Sequence, residues 1–117
     1  MRIFVTPIGI HEDVILRLLK DYHAEPSDKL LVITCNPLSS GVRRAYESLK
    51  ASCIRVNYPE PELHLVTCND FYLAMNEVIK LLNRYGDVKY IVEIGSGLRI
   101  LGYLTVFSLL WLDKRFT

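Results

Sequence analysis

The sequence predicts an α/β fold in which a doubly wound parallel sheet forms the middle of three layers, α/β/α, in a single domain over residues 1–117. Three observations predict it. Apolar, strand-like runs alternate four times with stretches whose apolar residues recur at helical spacing. The second run, Leu30 to Thr34, is apolar without alternation, as a strand covered on both faces is. The 117 residues are 50% hydrophobic and 23% charged, with a formal net charge of +1. That composition suits one packed core that buries about two thirds of the unfolded surface. The whole-protein field is too weak to steer a polyanion, so any anion binding must come from local clustering.

In order, Arg2 to Thr6 is a strand that Pro7 and Gly9 bring to a stop. His11-Glu12-Asp13 opens a helix with acidic residues at its positive end and Ile15, Leu18, Leu19 and Tyr22 on one stripe. Leu30 to Thr34 is the second strand. After the turn formers Asn36 to Gly41, Ser39 or Ser40 caps a helix with Val42, Ala45, Leu49 and Cys53 along one side. The prolines at 59 and 61 demand an extended connector. Leu63 to Thr67 is the third strand, and Asn69 or Asp70 caps a helix carrying Phe71, Ala74 or Met75, Val78, Leu82 and Tyr85, with Gly86 expected to close it at C′. Lys89 to Ile94 is the fourth strand. Leu98 to Leu112 is too long an apolar run to be another strand and is predicted to be the last helix. The chain stops at Arg115-Phe116-Thr117, where a doubly wound sheet would start its next strand, so the last strands are expected to be truncated.

A membrane span is excluded for Leu98 to Leu112. The run is shorter than the ~18–20 residues a span needs, and Arg99 and Asp113-Lys114-Arg115 bracket it. A helix apolar on every side is better explained by burial between the sheet and a partner subunit. The chain starts without the apolar run and cleavage site of a secretory signal. Cys35, Cys53 and Cys68 show neither Cys-x-x-Cys nor zinc spacing and are expected to be reduced. Together these predict a cytoplasmic protein without metal or cofactor.

Ligands of a doubly wound sheet collect outside the carboxyl ends of the strands. Three polar loops reach a helix start there: Thr6 to His11, Asn36 to Arg43 and Gly95 to Arg99. Gly95-Ser96-Gly97 can turn a strand sharply into a helix with its amides facing an anion. It is no dinucleotide fingerprint, because the third glycine position is Ile100 and the turn follows the fourth strand. Arg99 is misplaced for the helix dipole unless something negative sits before it. Arg43 is better placed than Arg44 as an anion ligand, and His11, Ser39 and Ser40 are the candidates for a catalytic role. Glu93 is read as a buried or interfacial carboxylate paired with a local base. No Ser-His-Asp order, paired carboxylates, P-loop or metal set is visible.

Taken together, Asn36-Pro37-Leu38-Ser39-Ser40-Gly41-Val42-Arg43-Arg44-Ala45-Tyr46-Glu47-Ser48-Leu49, Thr6-Pro7-Ile8-Gly9 and Gly95-Ser96-Gly97-Leu98-Arg99 resemble the CRISPR-associated Rossmann-fold (CARF) sensor domains. The similarity is greatest to the archaeal transcription-regulator branch and covers nearly the whole chain. The resemblance implies a Rossmann-like domain that pairs about a twofold axis through the Leu98 to Trp111 helix and holds a cyclic oligoadenylate, foremost cyclic tetra-adenylate, across the homodimer. It implies a ligand site made of Thr6, Pro7, Ile8, Gly9, Asn36, Ser39, Ser40, Gly41, Arg43, Gly95, Ser96, Gly97, Leu98 and Arg99, and a role in antiviral defence and transcription regulation. DNA binding would belong to a winged-helix domain outside this chain. Two alternatives are a ring nuclease that cleaves the cyclic tetramer and a dimerisation module that binds no ligand.

Overall fold

In a computed structural model that describes residues 1–117, the strands are β1 (Arg2–Pro7), β2 (Lys29–Cys35), β3 (Pro61–Val66) and β4 (Lys89–Val92). The helices between and after them are α1 (Asp13–Asp21), α2 (Ser40–Arg55), α3 (Phe71–Leu82) and α4 (Arg99–Trp111). All pairings are parallel and the strand order is β3-β2-β1-β4. The chain therefore builds outward from β1 in one direction, then returns to add β4 on the other side. That reversal puts the switch point between the ends of β1 and β4.

Strand alternation divides the core in two. Phe4, Leu30, Val32 and Ile91 face α1 and α2, where Ile15, Leu19, Ala45, Leu49 and Cys53 complete one cluster. Ile3, Val5, Leu31, Ile33 and Tyr90 face α3 and α4, meeting Ala74, Val78, Leu82, Leu101, Leu104 and Leu109. The Tyr90 hydroxyl donates to the Leu82 carbonyl at 3.0 Å, so the largest buried side chain carries no unmet donor. The sheet goes slightly further than β4: Tyr90 bridges Phe116 in parallel, and the amides of Tyr90 and Val92 donate to Arg115 and Thr117. That isolated bridge lies where the sequence expects the next strand to start. No helix is long and apolar enough to cross a membrane.

Three expectations need correction. Cys35 and Cys68 are not reduced but joined in a disulfide, with Cα atoms 5.5 Å apart. β2 and β3 run in register up to Cys35 and Val66, which delivers the two side chains to one place, and residue spacing in sequence carries no trace of that. Only Cys53 is free, and it is buried. α3 stops at Leu82 with Asn83 as its C-cap, so Gly86 is not a C′ residue. The carbonyls of Tyr85 and Gly86 are instead met by the Lys114 ammonium at 3.0 and 3.3 Å. Glu93 has no basic partner; its carboxylate accepts the N–H of Gly95 at 2.6 Å. One side of α4 is covered by the rest of the chain, through Leu101, Leu104, Thr105, Ser108 and Leu109, while Tyr103, Phe107, Leu110 and Trp111 stand exposed.

Candidate functional site

Each loop at the carboxyl end of the sheet is shaped by a local cause. Thr6 and Pro7 still belong to β1 and are buried. The Thr6 hydroxyl donates to the Pro7 carbonyl at 3.0 Å, so it is turned inward. Ile8, also buried, donates its N–H to Ile33 in the neighbouring strand. Gly9 and Ile10 are the first residues to emerge. In the second loop Ser39 is extended and its Oγ accepts the Val42 N–H at 3.2 Å, the capping bond expected of a serine at this position. In the third, Gly97 takes φ +68°, which an L side chain rarely adopts.

The first and third loops touch. A Cβ on Gly9 would lie 3.2 Å from the Gly97 Cα, and a Cβ on Gly97 would lie 3.1 Å from Pro7 and 3.2 Å from Ile8. Only two glycines allow the backbones to meet so closely, and they meet at the switch point. Two open hollows flank this contact. One, about 340 Å³, is lined by Gly9, Ile10, His11, Val14 and Gly95 to Gly97. The other, about 330 Å³, is bounded by Ile8, Gly9 and Ile10, by Thr34, Cys35, Pro37, Ser39 and Val42, and by Gly97, Leu98 and Leu101. All three loops therefore converge on one cleft.

Polarity at the cleft is one-sided. The N–H groups of Gly9, Ile10, Ser40, Gly41, Ser96, Gly97 and Arg99 find no acceptor in the chain. The N-cap of α4 is Leu98, which offers no side-chain acceptor, and no acidic residue occupies the first turn of α2 or α4. No charge therefore offsets the positive end of either helix, and α4 lacks even a side-chain cap. Arg43, Arg44 and Arg99 are exposed, and none is within 4.0 Å of a carboxylate. Such a surface can hold an anion.

The sequence-predicted residues fall into groups. Ile8, Gly9, Ser39, Gly97 and Leu98 line the 330 Å³ hollow, and Gly95, Ser96 and His11 line the adjoining one. Ser96 is nearly buried, and the Gly95 amide is already taken by Glu93. Asn36 uses its N–H on Val66. Arg44, with Ile10, Glu12, Gly41 and Ala45, borders a neighbouring hollow that Arg43 does not reach. Sequence reasoning missed Val14, Thr34, Cys35 and Leu101 as cleft residues, which lie outside the three loops it named. Each is apolar or strand-terminal, and only the strand order shows that they share a wall.

A family model described as the Csa3 CRISPR-associated Rossmann-like domain matches residues 2–117. The chain belongs to that family. It is also 31% identical over 117 residues to the "CRISPR locus-related putative DNA-binding protein Csa3" of Saccharolobus solfataricus (strain P2). The match covers 100% of this chain and 49% of that relative, so the chain spans about half the length of the curated protein it matches. The parallel sheet, its strand order and the helices on both faces are the Rossmann-like architecture of the family.

Proposed function

We propose that this CRISPR-associated domain senses a cyclic oligoadenylate, the tetramer foremost, held across a homodimer over the carboxyl ends of the strands. One observation carries the reading: three loops meet around the Gly9–Gly97 contact with free amides, and the helices that leave two of them, α2 and α4, carry in their first turns arginines that no carboxylate neutralises. Phosphates of a small ring suit that surface, with Ile8, Gly9, Ser39, Gly97 and Leu98 lining the cleft, Gly95 and Ser96 lining the adjoining hollow, and Asn36, Ser40, Gly41, Arg43 and Arg99 on the loops and helix starts around them. The exposed stripe Tyr103, Phe107, Leu110 and Trp111 on α4 supports pairing of two copies, because an apolar face of this kind is costly to leave in water. The reading keeps the protein in the cytoplasm and makes its output the regulation of transcription, in line with the DNA-binding name of its relative.

Sensing is favoured over ring cleavage by the hydroxyls. Ser39 Oγ is committed to the Val42 amide and Thr6 to the Pro7 carbonyl, which leaves Ser40 and His11 without a neighbouring partner to activate them. The test is isothermal titration of the purified chain with cyclic tetra-adenylate. About one ring per two chains is expected, and the ring should be recovered intact. Absence of heat, together with an unmoved melting temperature at high ligand, would overturn the reading.

A further inference from the structure

Sulfur chemistry stands at the wall of the cleft. Cys35 is the last residue of β2, and Cys68 lies just past the end of β3. The Asn36 N–H donates to Val66 at 2.9 Å, so the disulfide sits immediately beyond the last rung of the ladder. On one side Cys35 shares the 330 Å³ hollow with Pro37 and Ser39 and faces Gly97 and Leu98. On the other, Cys68 lies between Thr67, whose N–H donates to Glu77 at 3.0 Å, and Asp70, the cap of α3. The bond therefore ties together the two loops that lead into α2 and α3. Both cysteines are half-buried, packed on one side against the α3/α4 core. Cys53 differs: it is enclosed by α1, α2 and the sheet, and burial pushes its thiol up to about 11, so it stays protonated and unreactive.

We propose that Cys35–Cys68 is a thiol-exchange site for a dithiol reductant, and that opening it frees the Asn36 to Ser39 wall and lowers the affinity of the cleft for its cyclic ligand. The ligand half rests on the sensor reading above. In the exchange, one thiolate of the dithiol attacks a protein sulfur, the Cys35–Cys68 bond breaks, and a mixed disulfide forms. The second thiol of the reductant, once deprotonated, displaces the remaining cysteine. The reductant leaves as its own disulfide, two electrons poorer, and the two cysteine thiolates take up the two protons released.

Opening the bond releases the loops while the sheet persists, because β2 and β3 remain paired in register up to Cys35 and Val66. The Ser39 and Asp70 caps also remain, so α2 and α3 keep their starts. What is lost is the covalent limit on the residues between those anchors. Ligand must then order that wall as it binds, which weakens affinity by about tenfold.

The experiment uses the full chain, oxidised, treated with dithiothreitol, and as the Cys35→Ser, Cys68→Ser double variant. Alkylation of the native protein followed by mass measurement should show two added groups after dithiothreitol and none before. Cyclic tetra-adenylate should bind the treated chain and the double variant about tenfold more weakly than the oxidised chain. Amide exchange should quicken at residues 36–39 and 67–70 while strand amides stay protected. A pair that resists dithiothreitol, or equal affinity in all three forms, would overturn the proposal. If no form binds the ring, the sensor reading falls and the affinity coupling with it. Alkylation and amide exchange then decide loop release on their own.

Discussion

The two ends of the strands solve opposite problems. At the amino end, Arg2 is fully engaged: its backbone N–H and guanidinium donate to the two Asp28 oxygens at 2.9 Å each, and further bonds reach the carbonyls of Tyr22 at 2.8 Å and His23 at 3.1 Å. The same carboxylate accepts the Glu25 N–H at 2.9 Å. Charge is cancelled there and donors are spent. At the carboxyl end, Arg43, Arg44 and Arg99 have no carboxylate partner, and a row of loop amides has no acceptor. The same residue type, arginine, staples loops at one end and stays unpaired at the other. Polar groups satisfied internally contribute to stability, and polar groups left unmet at a cleft mark where a ligand contributes instead.

The largest effect that would sharpen this contrast is Asp28→Ala. Removing the one nearly buried carboxylate strands the Glu25 amide and the Arg2 guanidinium, and unfolding stability should fall by roughly 3 kcal/mol in urea titration. Binding of the cyclic tetramer at the far end should stay as in the parent. Arg99→Ala should do the reverse. It is expected to weaken ring binding by about 1.5–3 kcal/mol by calorimetry, with stability within about 0.5 kcal/mol of the parent. If Arg99→Ala instead unfolds the domain and leaves binding intact, the division between the two ends is wrong.

The smallest effect is a pH dependence. Burial works to raise the Asp28 pKa, but hydrogen bonds from the Glu25 amide and from Arg2 outweigh it and hold the carboxyl below the ordinary 3.8. A depressed folded-state value contributes stability that is present above pH 3.8 and is lost as pH falls from there through the folded value. The melting temperature of the parent should therefore drop more steeply on that acid limb than that of Asp28→Asn. Parallel limbs would show that the carboxylate adds nothing.

Much of the site was legible in the chain. Turn formers and caps announce the loops: Ser39 and Asp70 start their helices as their side chains dictate. Arg99 stands in the first turn of α4, as the sequence places it, with no carboxylate beside it. Other features were not legible. The order of the strands decides that Gly9 meets Gly97, that Leu101 and Val42 share a hollow, and that the β2 and β3 exits bring two cysteines together. Reading the cysteines one by one therefore led to the wrong oxidation state. Glu93 was misread for a similar reason, since its partner is a backbone amide two residues on and not a side chain.

By itself the sequence determined the alternation of strands and helices, the faces they bury, and the places where helices begin. Those outcomes follow from dihedral preferences, caps and apolar spacing that act within a few residues. Only the tertiary structure decided which loop ends touch, which arginines are cancelled, and that the sulfurs of Cys35 and Cys68, separated by 33 residues, are bonded. Proximity between distant segments is set by parallel pairing and strand order, and no short stretch of chain carries that information.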